Sequence, residues 1–124
     1  MDEAVRVEKQ PKVWGTTEAL VKAPKMQLHR ITFEKGGVCS EHSHASRYNL
    51  FYVLSGELIV RIWVDGVPLE SVLHAHEYIA AEPGDRHQFE GLTSGVALEI
   101  YWPGDWSEVV LDMDILRYTE GFMR

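Results

Sequence analysis

Gly36-Gly37-Val38-Cys39-Ser40-Glu41-His42-Ser43-His44-Ala45-Ser46-Arg47-Tyr48-Asn49-Leu50-Phe51-Tyr52-Val53-Leu54-Ser55-Gly56 is the stretch on which the reading of this chain turns. Side chains two apart on a β-strand point to the same face, so His42 and His44 can reach one metal ion from a single strand. A third histidine follows in Pro83-Gly84-Asp85-Arg86-His87, just after a Pro-Gly turn. If His87 comes from a neighbouring strand, the three imidazoles close a facial triad. Asn49 is then available as a fourth, uncharged ligand.

On either side of this stretch the chain is a succession of short strand-like runs. They cover Met26 to Phe33, Val38 to His44, Asn49 to Leu54, Glu57 to Val64, Leu69 to Leu73, Glu77 to Ala80, His87 to Phe89 and Val96 to Tyr101. Gly36-Gly37, Ser55-Gly56, Asp65-Gly66, Pro83-Gly84 and Thr93-Ser94-Gly95 punctuate them. Asp65-Gly66 between two β-rich runs predicts a tight hairpin, because that pair tolerates positive φ. Many short strands, with no helical periodicity before residue 105, predict an all-β sandwich or barrel. Residues 1–12 alternate charges with few apolar side chains and read as an N-terminal arm or edge strand; residues 13–124 form one domain. A short C-terminal helix is expected only in Ser107 to Tyr118, where the β-branched Val109, Val110 and Ile115 oppose it.

The spacing Gly36, five residues, His42-Ser43-His44, four residues, Asn49, six residues, Gly56 resembles the first signature motif of the cupin superfamily, and Pro83 to His87 resembles the second. The resemblance implies a double-stranded β-helix, a jelly-roll barrel in which three histidines and a glutamate hold a divalent metal. Asn49 stands at the glutamate position, His76 where the second motif opens with glycine, and Gly91 at its closing asparagine. Lys12-Val13-Trp14-Gly15, Leu28 to Phe33 and Asp114-Ile115-Leu116-Arg117 further resemble the cupin domain of type II phosphomannose isomerases. Arg47 and Arg117 fall on arginines of that family, His42 on a glutamine and His29 on a lysine. This closer resemblance implies a sugar or sugar-phosphate ligand more directly than it implies the isomerase reaction.

At 124 residues the chain is long enough for one core and too short for a second. No apolar run approaches the roughly 20 residues that span a bilayer, and the acidic start Met1-Asp2-Glu3-Ala4 is unlike a signal peptide. A cytoplasmic protein without membrane association is the expectation. Cys39 is the only cysteine, in keeping with a reducing compartment. Strand parity sets it opposite the histidines, as a small buried apolar residue rather than a nucleophile. With 12 basic and 19 acidic residues the net charge is −7 and no basic stripe is present, which argues against a nucleic-acid partner. A homodimer is expected, since small open barrels leave strand edges to be covered.

Imidazole ligands suit Fe, Mn, Ni, Zn or Cu, and neutral ligands would leave the ion its full charge, favouring an anionic chelating substrate. His29 shares the parity of Ile31 and Phe33; facing inward, it is either a general base for a sugar or a hydrogen-bonded core histidine. Arg47 is either a clamp for carboxylate or phosphate or a surface arginine paired with acidic neighbours. Glu99 interrupts the apolar run Ala97 to Tyr101: inward it would be a base or a further ligand, outward an ordinary alternating residue. His74 and His76 repeat the i, i+2 spacing in a turn and read as solvated. The expected function is a metal-dependent enzyme acting on a small oxygenated anionic substrate, most like a sugar-phosphate isomerase or epimerase. A three-histidine dioxygenase and a non-catalytic sugar- or organic-acid-binding protein are the alternatives.

Overall fold

The computed structural model describes residues 3–124. Strand-favouring residues alternate with polar ones over most of this length, and the described residues form thirteen strands: β1 (Lys9–Lys12), β2 (Gly15–Ala23), β3 (Met26–Phe33), β4 (Gly37–Val38), β5 (His42–His44), β6 (Arg47–Ser55), β7 (Leu58–Val64), β8 (Val67–Leu73), β9 (Tyr78–Ala81), β10 (His87–Gly91), β11 (Gly95–Pro103), β12 (Ile115–Arg117) and β13 (Phe122–Met123). All pairings are antiparallel, in two sheets. One runs β1-β2-β3-β11-β6-β9. The other is built around β10, which pairs with β7 on one edge and with β4 and β5 on the other. The expected run from Val38 to His44 is thus two short strands broken at residues 39–41. The architecture is the all-β jelly roll, and among the described residues no helix is long and apolar enough to cross a membrane.

Register explains how the barrel comes to hold a site. On β6 the inward residues are Arg47, Asn49, Phe51 and Val53, and on β11 they are Ala97, Glu99 and Tyr101. The pairing sets Ala97 beside Val53 and Ile31, and Tyr101 beside Asn49 and Gln27. The inner face therefore passes from apolar to polar along its own length. Ile31, Phe33, Phe51, Val53, Leu58, Val60, Phe89 and Ala97 join Trp14 in the core. Fully burying side chains of this size contributes about 1.5–3 kcal/mol each, which leaves room for uncompensated polar groups at the other end.

The hairpin between β7 and β8 turns at Asp65 and Gly66, with φ of 51° and 78°, the doubly positive geometry that the Asp-Gly pair predicts. Gly91 occupies the motif's asparagine position because a Cβ there would press on the Glu34 carbonyl and the Phe33 ring. The C-terminal helix does not form. Residues 104–114 make turns, fixed by Asp105 Oδ1 accepting from Ser107 N and Oγ and by Val110 N donating to Pro24 O. Ile115–Arg117 then extends as β12 along His42–His44. The free edge of β5 offers backbone partners that the β-branched residues of this segment satisfy better in an extended form than in a helix.

Candidate metal centre and its cavity

β5 carries His42 and His44 on one face, and the register places His87 of β10 opposite His42. All three are buried, and one ligating nitrogen from each lies within 4.8 Å of the others. Their tautomers are partly dictated by neighbours. A carbonyl oxygen only accepts, so His42 Nδ1–H donates to Ser40 O at 2.7 Å and His87 Nδ1–H to Asp85 O at 2.8 Å. Each then presents an unprotonated Nε2. Burial holds all three imidazoles neutral: His42 is lowered to about 3, with His87 next as the cause, and His44 is lowered by burial and by Arg47.

Asn49 enters this set from β6, with Oδ1 3.1 Å from His87 Nε2 and Nδ2 donating to Glu99 Oε2 at 3.2 Å. The Glu99 contact orients the amide with its oxygen toward the histidines. Two lone pairs, from His87 Nε2 and Asn49 Oδ1, consequently face one another. Neither can donate, and a cation between such donors resolves the conflict. His44 Nε2 is also buried without a partner, so with its hydrogen on Nδ1 this ring completes a donor set that fits a divalent ion.

Glu99 points inward, beside the cluster rather than in it. It accepts from Tyr101 Oη at 2.9 Å as well as from Asn49, and burial pushes its carboxyl above the usual range. The carboxylate missing from position 49 thus stands one strand away, behind the amide. Asn49→Glu is expected to set two buried carboxylates side by side and to lose a hydrogen bond, costing about 1–3 kcal/mol of stability. Thermal melts at pH 7 test this, and the exchanged pair Asn49→Glu with Glu99→Gln should recover most of the loss.

Arg47 is buried and committed: Nη2 donates to His44 Nδ1 at 2.9 Å, Nε lies 3.2 Å from Asp114 Oδ1, and the guanidinium covers the Tyr101 ring at 4.2 Å. It has the acidic neighbour expected of a paired arginine, in a buried place at the cavity wall rather than at the surface. Arg117, on β12, lines the cavity and makes no ion pair among the described residues. His29 also lines the cavity. Its Nε2–H donates to Gln27 Oε1 at 3.1 Å, Gln27 Nε2 donates to Asp112 Oδ1 at 3.0 Å, and its ring stands edge-on to Tyr101 at 5.2 Å. Burial, followed by Arg47, lowers its pKa to about 4.

The shared cavity measures about 440 Å³ and is lined by His29, His42, His44, Arg47, Glu99 and Tyr101, with Trp14 and Phe89 as apolar wall. Cys39 touches it too, because the break after β4 cancels the parity that would have turned it away. It is buried, and burial pushes its thiol far above the ordinary range, which leaves it inert. His74 is exposed and pairs with Glu57 and Glu77. Sequence reasoning missed the roles of Gln27, Asp112 and Asp114. Gln27 carried a usable signal, its parity with His29, as did Tyr101 through its parity with Glu99.

A family model described as a cupin domain matches residues 29–103, well over half of the chain. This chain is a cupin. No curated protein matches it significantly by sequence. Among solved structures the cupin is similar to KdgF from Halomonas sp., at 17% identity and a TM-score of 0.67, covering 77% of this chain and 86% of that one. It is similar to the capsular polysaccharide assembling protein CapF from Staphylococcus aureus at 17% identity and a TM-score of 0.71, covering 98% and 32%. It is similar to oxalate decarboxylase from Bacillus subtilis at 13% identity and a TM-score of 0.74, covering 90% and 30%. The cupin thus spans most of KdgF but only about a third of the other two. At these identities the likeness is one of fold.

Proposed function

We propose that this cupin is a metal-dependent enzyme acting on a small oxygenated anionic substrate, in the manner of a sugar-phosphate isomerase or epimerase. One observation carries the reading: His42 and His44, of a donor set suited to a metal, share their cavity with a histidine whose Nε2–H is tied through Gln27 to Asp112 and whose Nδ1 has no partner among the described residues. A divalent ion held by His42, His44, His87 and Asn49 would act as a Lewis acid toward a substrate carbonyl or hydroxyl oxygen. His29 Nδ1 takes a proton from the neighbouring carbon and returns it, while Gln27 and Asp112 hold the ring in the tautomer this requires. Glu99 keeps the Tyr101 hydroxyl and the Asn49 amide in place. Lys12 and Arg117, which line the cavity and make no ion pair among the described residues, receive the substrate's anionic group.

Mn, Fe, Zn and Ni all suit the donor set. Oxalate decarboxylase of Bacillus subtilis carries Mn(II) centres, which supports beginning with manganese. We extend the proposal to a cytoplasmic homodimer, to be checked by sedimentation. The functional test is incubation of metal-loaded protein with hexose phosphates in deuterated water, with deuterium expected at the carbon next to the carbonyl. Iron-dependent oxygen consumption without deuterium incorporation would move the assignment to a dioxygenase. Ligand binding without either reaction would make this a sugar- or acid-binding cupin.

A further inference from the structure

Four buried side-chain polar atoms lack a hydrogen-bond partner among the described residues, and His44 Nε2, Arg47 Nε and Asp114 Oδ1, three of them, sit in one cluster. Asp114 lies immediately before β12. Its Oδ2 accepts from Ser46 N at 3.1 Å and from Ser46 Oγ at 3.0 Å, and its backbone oxygen accepts from Ala45 N at 3.2 Å. Oδ1 is left 3.5 Å from His44 Nδ1 and 3.2 Å from Arg47 Nε, in a side chain only 4% exposed.

His44 therefore stands between two neighbours that ask for opposite tautomers. Arg47 Nη2 donates to Nδ1 and so leaves the hydrogen on Nε2, where it blocks metal ligation. Asp114 Oδ1 is a carboxylate oxygen without a donor of its own, and a hydrogen on Nδ1 directed to it would free the Nε2 lone pair. We propose that Asp114 is a positioning residue for the metal centre: by taking the Nδ1–H of His44 it selects the ligating tautomer, and it thereby couples the C-terminal strand to metal occupancy. This rests on the metal reading above. The coupling has a physical route, because Asp114 continues directly into β12, which pairs residue by residue with His42–His44, and Tyr118 N then donates to Glu41 O at 2.7 Å. A carboxylate behind a ligating histidine fixes its ring and raises its basicity, and losing such a partner weakens metal binding by about 10–100-fold.

The test is a calorimetric titration with Zn(II) alone, on wild type, His87→Ala, Asp114→Asn and Asp105→Asn, the last removing one exposed negative charge away from the site. Wild type and Asp105→Asn should bind one equivalent with similar affinity, Asp114→Asn should bind about 10–100-fold more weakly, and His87→Ala should lose the site. Amide exchange supplies a readout that a merely structural role would not move: Zn(II) should slow exchange at the Tyr118 amide in wild type and not in Asp114→Asn. Failure of wild type to bind, or undiminished binding by His87→Ala, would overturn the metal reading and this inference with it. Normal wild-type binding with Asp114→Asn within twofold would overturn the inference alone. Should Asp114→Asn not fold, wild-type exchange decides, and an unchanged Tyr118 rate on Zn(II) addition overturns the coupling.

Discussion

His29→Gln is expected to lower turnover by about 10²–10⁴-fold, the usual contribution of a general base, while metal content and melting temperature stay close to wild type. The asymmetry follows from the hydrogen bonding of the ring. Nε2–H is occupied by Gln27, so the ring is fixed by a polar contact that a glutamine amide can partly replace. Nδ1 has no such partner, and its loss removes the only proton acceptor that this residue contributes. Because burial and Arg47 lower the pKa to about 4, the ring is neutral and able to accept a proton throughout the neutral range. An anionic substrate offsets the Arg47 field and raises its basicity on binding. The measurement is deuterium incorporation per folded molecule, with kcat and KM separated. A fall in melting temperature with unchanged turnover would make His29 a core residue, and incorporation that persists in the variant would end its role as the base.

Acidification from pH 7 to pH 5 is expected to remove much of the protein's stability in the absence of metal. His29 and His42 have folded-state values of about 4 and about 3, below the ordinary histidine value near 6.5, and His44 and His87 are lowered as well. Between those limits the unfolded chain binds more protons than the folded one, so stability is present above the unfolded value and falls as the pH drops below it. A histidine kept neutral in the fold contributes about 2 kcal/mol over this interval, so His29 and His42 together account for about 4 kcal/mol, with His44 and His87 acting in the same direction. Glu99 opposes them, since its raised value lets the folded state take up a proton first. Against a total of about 5–15 kcal/mol this is a large fraction. Urea unfolding at pH 7 and pH 5 measures the effect; equal midpoints would mean that the cluster is solvated in solution.

The fold was legible because local signals agree with one another: Met26–Phe33 begins and ends where the sequence places it, and Asp65-Gly66 dictates its own turn. β2, β12 and β13 were not legible. Thr16-Thr17-Glu18-Ala19 has no clean alternation, and β12 is extended because β5 has an edge to offer, which no window around residue 115 reveals. The three histidines were readable from spacing, since parity and a Pro-Gly turn act locally. The direction of Glu99 required the registers of two neighbouring strands. Asp114 required the path of the whole tail, a contact 70 residues from His44 in sequence.

The passage of the inner face from apolar to polar, where Ile31 and Ala97 give way to His29 and Glu99 and, on β6, Phe51 gives way to Asn49, has an evolutionary consequence. Folding and chemistry depend on different layers of the same strands. Substitutions at the open end exchange one reactive group for another without disturbing the Phe33–Phe51–Phe89 layer, so a lineage built on this barrel can change its substrate while keeping its foldability, one side chain at a time.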